Sequence, residues 1–249
     1  MVVNEPEGTV VLLGTHIPPN ATTERRAILI KADWNGNVIW KKIISGPADV
    51  PVDLEPLPGG GFIMLTETRV NPQAPDDQSL NLKLIRLTSE GSKIDSVVFG
   101  TPMKDGVYAN EYPETVTSVT DGFVVTGSTE YDTEWALGGL NNVVDAMRIK
   151  FDLNLQVTTD LDLTTSNSQN DYGHKTVELS TVKLYTFCSS FKAINSPVND
   201  NFNFWVIPDA GEDYDIGIRS TGNDELVTAV CESSGSGYFL VGTHESPGN

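Results

Sequence analysis

The chain has 249 residues, 39 % hydrophobic and 20 % charged, with 34 acidic side chains against 16 Lys and Arg and a formal net charge of -18. A surface this acidic is repelled by phosphate backbones and anionic lipid, which argues against nucleic-acid and membrane-surface binding and leaves divalent cations or cationic partners. The length suits one large all-β domain or two small ones, and no apolar run reaches the roughly 18 residues of a membrane-spanning helix.

In chain order, one unit recurs: a strand, a Gly-containing turn and a strand that ends in a small polar residue. It reads VVNEPEGTVVLLGT (Val2 to Thr15), VDLEPLPGGGFIMLTE (Val52 to Glu67), ETVTSVTDGFVVTGS (Glu114 to Ser128), KTVELSTVKLYTFCSS (Lys175 to Ser190) and VTAVCESSGSGYFLVGT (Val227 to Thr243). A second unit alternates with it: AILIKADWNGNVIWKKII from Ala27, NLKLIRLTSEGSKIDSVVF from Asn81, AMRIKFDLNLQVTTDLDL from Ala146 and NFWVIPDAGEDYDIGIR from Asn203. The period-two alternation of apolar and polar residues in both predicts half-buried strands. Predicted turns fall at Asn35-Gly36, Glu90-Gly91, Asn154-Leu155 and Gly211-Glu212. Asn-Gly predicts a type I′ turn, with positive φ at both central residues.

One unit of each kind gives four strands in roughly 50–60 residues, the scale of a propeller blade. The predicted fold is therefore an all-β propeller of four-stranded antiparallel blades in one domain spanning 1–249. Its repeats run over about 1–45, 49–100, 110–163 and 171–222, with a partial fifth over 224–249. The first repeat opens inside a strand and the fifth stops after its second, so a longer parent chain, or completion of the last half-blade by another element, is expected. No leader peptide precedes Asn4-Glu5-Pro6, which implies either a cytosolic chain or one whose leader has been removed. Four connectors, Ile17 to Arg26, Val70 to Leu80, Glu130 to Val144 and Ala193 to Asn203, join second strands to third strands and should project on one face.

The sequence carries no recognisable reaction motif: no Gly-x-Ser-x-Gly elbow, P-loop, dinucleotide fingerprint or His-Glu-x-x-His. Cys188 and Cys231 sit in apolar runs and are expected as buried free thiols. His16 and His244 share a repeat position, too few ligands for zinc, and His174 is expected at the surface or a blade edge. No acidic cluster follows the spaced calcium-loop pattern; Asp33 to Asn37 is a fragment of one that a hairpin turn explains better, so no cofactor is expected and calcium is the minor alternative.

At AILIKADWNGNVIW and TDGFVVTGS the chain resembles a large bacterial propeller-like repeat family. The family consensus runs approximately D-G-G-Y-[IV]-[VL]-x-G, a variable loop, then D-[AI]-x-[LV]-[IV]-K-x-D-x-x-G-N-[IV]-x-W. Asp121 to Gly127 carry the first part, including Gly122 and Gly127; Lys31, Asp33, Gly36, Asn37 and Trp40 carry the second, and Asp145, Lys150 and Asp152 repeat some of it. Repeat four departs at Pro208. The Asp-x-x-Gly-Asn-x-x-Trp piece is also similar to tryptophan-docking repeats of quinoproteins, which implies packing of Trp40 between blades and no quinone chemistry. The resemblance implies a secreted or surface lipoprotein, extracytoplasmic, and transfers no catalytic residue.

The expected function is non-enzymatic recognition or scaffolding of a protein or glycan by the loop face, with a place as accessory lipoprotein in an outer-membrane complex. The candidate ligand-binding residues are Trp135, Tyr131, Asp132 and Asn141, because a ring face stacks on a sugar or peptide while carboxylates and amides hydrogen-bond it. The alternative is a glycoside hydrolase on a five-bladed propeller, which needs two carboxylates at a fixed separation.

Overall fold

The computed structural model describes residues 2–4, 8–19, 24–46, 48–69, 79–100, 109–131, 143–163, 169–178, 183–192, 202–208, 224–232 and 238–245. These form five antiparallel sheets and no helix. Sheet one contains β1 (Val2–Asn4), β2 (Thr9–His16), β3 (Arg26–Asp33) and β4 (Val38–Ile43), and sheet two β5 (Val50–Pro56), β6 (Phe62–Thr68), β7 (Asn81–Leu87) and β8 (Lys93–Phe99). Sheet three contains β9 (Ala109–Val119), β10 (Gly122–Tyr131), β11 (Val143–Asp152) and β12 (Val157–Leu163). Sheet four has β13 (Gln169–Glu178), β14 (Leu184–Lys192) and β15 (Phe202–Pro208), and sheet five β16 (Asp224–Glu232) and β17 (Tyr238–Glu245). Each sheet is a simple meander. The predicted turn at Gly211-Glu212 lies outside the described residues.

The sheets stack face to face through alternate residues of each strand. In β6, Phe62 and Met64 join Val11, Ala27 and Leu29 of sheet one. Ile63 and Leu65 point the other way, into a cluster with Val116, Phe123, Val125, Ile149 and Phe151 of sheet three. A strand covered on both faces has no polar side, which is why Phe62 to Leu65 is continuously apolar. Basic side chains then clasp the outer turn of the next sheet. Lys42 donates to the Glu90 carbonyl and to Ser92 Oγ (3.2 Å), and Arg86 Nη1 to the Leu153 carbonyl (2.6 Å). Trp40, inside β4, lays its ring against Gly91, where a Cβ would stand 2.9 Å from the ring.

The Asp33 to Asn37 turn differs from its expected form. Gly36 has φ 83°, and Asn35 is not among the residues at positive φ, so this is no type I′ turn. Gly36 N–H donates to the Asp33 carbonyl and Asp33 N–H to the Asn37 carbonyl, both at 3.0 Å: a turn closed by one left-handed residue, accompanied by a bulge beside Ala32. The cause is the Asp33 side chain, whose Oδ1 accepts from the N–H groups of Asn35 (2.9 Å) and Asn37 (2.8 Å). Asp152 does the same for Asn154 and Gln156, both at 2.8 Å, with Leu155 at φ 60° in the glycine position. Leu155 tolerates that backbone while its side chain is buried in the cluster between sheets two and three.

The first strands of sheets two, three and four run side by side in the same direction. Asp53 Oδ2 accepts from Val116 N–H (3.1 Å), Thr115 Oγ1 donates to the His174 carbonyl (2.9 Å), and Thr117 Oγ1 to the Thr176 carbonyl (2.7 Å). At the far end Thr120 N–H donates to Glu178 Oε2 (2.7 Å). Each first strand from β5 onward also carries one extra residue opposite its neighbour. The register slips at Val52 in β5, Glu114 in β9, His174 in β13 and Thr228 in β16. A bulge re-aims the side chain it carries, so one repeat position is singled out in four consecutive sheets.

Candidate functional site

Parallel first strands bring the ends of β6, β10 and β14, and the starts of β7, β11 and β15, to one end. That end is framed by the start of β9 and the end of β10. Leu80 N–H donates to Asn110 Oδ1 and Glu111 N–H to the Leu80 carbonyl, both at 2.9 Å, which ties the exit of one connector to the next sheet. Sheet one joins the same end through the parallel bridge of Arg25 to Ala48.

At this end the Tyr112 hydroxyl donates to Glu130 Oε2 at 2.7 Å, while its ring stays partly exposed. Burial pushes the phenol up to about 12, helped by its hydrogen bond to the Glu130 carboxylate. Glu67 lies in the same field; burial raises its carboxyl and Arg69 opposes the rise. The result is an aromatic ring backed by the Glu130 and Glu67 carboxyls, beside one guanidinium. Such a surface can stack on a sugar or an apolar side chain and accept hydrogen bonds from hydroxyls or ammonium groups. Tyr131 ends β10, its backbone paired with Ala109 and Val143. Its side chain, together with Asp132, Trp135 and Asn141, lies outside the described residues.

A second polar centre sits between sheets three and four, and sequence reasoning missed it. The two bulge residues meet: His174 Nδ1 stands 3.1 Å from both Glu114 carboxylate oxygens, and Nε2 stands 2.7 Å from Ser189 Oγ. His174 is thus part of a relay between sheets, not the solitary surface or edge residue expected. The composition is that of an acid, a base and a hydroxyl, the parts of a nucleophilic triad. Ser189 is only 1 % exposed and sits in mid-strand, so its Oγ is closed to substrate and the relay holds sheets together. The signal was available in the repeats: Pro113-Glu114-Thr115 and Gly173-His174-Lys175 align at the strand position where Val52 stands in sheet two.

Beside this relay lies a buried row of hydroxyls. Thr126 Oγ1 bonds Thr176 Oγ1 (2.7 Å), which bonds Thr186 Oγ1 (2.9 Å), to which Arg148 Nη1 donates (3.1 Å). The backbones close up here as well: a Cβ on Gly173 would stand 2.5 Å from the Gly127 carbonyl oxygen, and a Cβ on Gly127 would stand 2.2 Å from that of Tyr112. Gly122 is pinned in the same way, 1.9 Å from the Phe151 carbonyl oxygen.

Among the described residues no group of three or more His, Cys, Asp or Glu side chains could hold a metal ion. Cys188 is a buried free thiol that burial pushes upward; the Cys231 side chain lies outside the described residues. Trp34 is exposed beside Gly8. Two partly buried carboxyls are raised, Glu67 and, by burial above all, Glu55. They lie toward opposite ends of the β5–β6 hairpin, since Glu67 pairs with Val50. At about 3.3 Å per residue they are roughly 15 Å apart, well beyond the separation of a glycosidase pair. No protein-family model matches the chain, and a search of curated proteins finds no significant match.

Proposed function

We propose that the chain is a propeller-type repeat protein whose work is non-enzymatic recognition, performed by the end of the array from which the connectors emerge. The observation that carries this reading is the parallel alignment of β5, β9 and β13, which brings the strand ends that flank the connectors of successive sheets to the end of the array where Tyr112 and Glu130 sit. Loops on a rigid scaffold are where binding residues concentrate. Trp135, Asp132 and Asn141 belong to the connector that follows Glu130 in the chain and are assigned to the same surface. A protein or glycan is the ligand class that suits a stacking aromatic with carboxylate and amide neighbours. Together with the repeat resemblance, this supports an extracytoplasmic scaffold acting as an accessory subunit of an outer-membrane complex.

The test is a pull-down from detergent-solubilised envelope with the immobilised chain, run beside a glycan array. Tyr112→Ala and Trp135→Ala are compared with Lys93→Ala, which lies on outer strand β8. A stoichiometric protein or a defined glycan class retained by the parent and lost with Tyr112→Ala or Trp135→Ala supports the reading. Retention unchanged by both loop-end substitutions refutes it.

A further inference from the structure

The groups around the Tyr112 ring do not treat all ligands alike. The hydroxyl of Tyr112 has one hydrogen, and it is given to Glu130 Oε2 at 2.7 Å. Burial pushes the phenol up to about 12, so that hydrogen stays in place throughout the physiological range. What remains on the oxygen is lone pairs, which only accept. The ionised carboxylates of Glu130 and Glu67 accept as well. Among the described groups that act on Tyr112, Arg69 is the donor, and it is drawn toward Glu67, whose carboxyl it holds down against the effect of burial.

A sugar hydroxyl both donates and accepts, so a glycan lying on the ring calls for partners of both kinds. An apolar side chain would use the ring but take the neighbouring carboxylates out of water with nothing in exchange. An ammonium or guanidinium group only donates, and it is attracted by the face of an aromatic ring as well. The ring is available for that contact, since Tyr112 is 37 % exposed although its hydroxyl is engaged. A phenol that donates to a carboxylate is polarised toward higher electron density in its ring, which strengthens the attraction for a cation. Glu67 and Glu130 against Arg69 give this corner a negative surplus, in a chain whose net charge of -18 steers cations toward it from a distance.

We propose, on the reading that this end is the recognition surface, that it receives a Lys or Arg side chain of a protein partner. The cation lies against the exposed face of Tyr112 and donates to the Glu130 carboxylate, while Glu67 adds to the negative field. The partner is thus a protein with an exposed basic segment, and a neutral glycan is disfavoured.

Hexalysine is the probe, titrated into the chain at low and at high salt and followed by calorimetry. An acidic chain attracts hexalysine over its whole surface, so the site is read by substitution. Tyr112→Leu keeps the charge and removes the ring. It is expected to weaken binding about two- to fivefold, the share that a ring contributes at an exposed site. Tyr112→Phe restores the ring and should recover that loss, which separates the ring from any disturbance of the sheet. Glu130→Gln removes one charge beside the ring and should weaken binding at least as much as Tyr112→Leu. Glu90→Gln removes one exposed charge in the turn between β7 and β8, at the other end of the sheets, and should leave the affinity unchanged. High salt should lower every affinity and shrink the difference that Glu130→Gln makes. Hexalysine that does not bind overturns the proposal. Equal affinities for the parent and Tyr112→Leu overturn it, as do equal effects of Glu130→Gln and Glu90→Gln, because both mean attraction by overall charge alone. An envelope protein or glycan that is lost with Tyr112→Ala while hexalysine binding ignores Tyr112 removes the cation and leaves recognition at this end standing.

Discussion

The hydroxyl row between sheets three and four makes Thr176→Val the most informative single change. Valine keeps the shape of threonine and replaces the hydroxyl with a methyl, so no cavity opens. What is lost is Oγ1, which bonds Thr126 on one side and Thr186 on the other at 2.7 and 2.9 Å, all three residues being fully buried. Neither orphaned hydroxyl can turn to water. A buried hydroxyl left short of its partner costs about 1–3 kcal/mol, and two of them about 2–4 kcal/mol once partial rescue by Arg148 at Thr186 is allowed. The added methyl returns about 1 kcal/mol of burial. The expected net loss is about 1–3 kcal/mol, or about 2–10 °C in Tm for a chain of this size. Urea unfolding reads it directly, as a fall in the midpoint at unchanged m. Thr176→Ser supplies the contrast, because it keeps Oγ1 and gives up the methyl. If the hydroxyls hold the two sheets together, valine is the more damaging substitution. If Thr176 matters only as packing, serine is worse and valine neutral, and that result would refute the reasoning. Changing Thr126 to valine as well should then cost less than the sum of the two single changes, since the hydroxyl stranded by the first substitution is removed by the second.

Gly91 and Gly36 share a turn position and a left-handed backbone, with φ 67° and 83°, but differ in surroundings. Gly36→Ala meets nothing within 4 Å and should cost about 1 kcal/mol of backbone strain, whereas Gly91→Ala also strikes the Trp40 ring and should cost about 2–3 kcal/mol; equal losses on thermal unfolding would contradict the assigned docking of Trp40. Asp33 is held below its ordinary pKa, first by the Asn37 side-chain amide and then by backbone N–H groups. A depressed carboxyl contributes stability above its unfolded pKa and loses it as pH falls, so the Tm advantage of the protein over Asp33→Ala should be full near neutrality and shrink below about pH 4. Glu55 is shifted the other way, by burial first, so its contribution is present below the ordinary glutamate value of 4.5 and is lost as pH rises; Glu55→Gln should raise Tm at neutral pH and leave it unchanged in acid. A double-mutant cycle of Glu114→Gln and His174→Gln should show a coupling of about 0.5–1 kcal/mol, discounted for the half-exposed Glu114 carboxylate; additive losses would mean that the relay does not join the sheets.

The strands were legible because their signal is local. Alternation along Ala27 to Ile44, and the Gly or Asn between the alternating runs, place the hairpins without reference to anything distant. The continuous run Phe62 to Leu65 is equally readable as a strand covered on both faces. The turn at Asn35-Gly36 was misread because a dipeptide preference was weighed and the preceding Asp33 was not. A carboxylate that gathers the N–H groups of Asn35 and Asn37 makes left-handed backbone necessary at Gly36 alone. The expected ligand residues, from Tyr131 to Asn141, were read from loop composition, which says that a segment is polar and aromatic without saying where its side chains go. The Glu114–His174–Ser189 relay was illegible for another reason. It joins residues 60 positions apart across a sheet boundary and 15 apart within sheet four, and its geometry depends on two register slips.

Those slips show how a repeat array acquires specific chemistry without new architecture. The bulge in each first strand is a backbone feature repeated with the fold, occupied in turn by Val52, Glu114, His174 and Thr228. Between sheets three and four the parallel first strands bring the two side chains at that position together. Valine there leaves an apolar contact; a carboxylate followed by an imidazole makes a hydrogen-bonded contact across that sheet boundary, with Ser189 completing it from within sheet four. The same logic governs the next position in the strand register, where Leu65 of sheet two packs into an apolar cluster and Thr126 of sheet three reaches across to Thr176. Packing between sheets two and three is therefore tolerant of apolar exchange, while that between sheets three and four is directional and demands its particular donors and acceptors. A repeat whose faces differ in this way stacks in one order only, and that is the property a recognition scaffold needs if its connectors are to meet a ligand in a fixed arrangement.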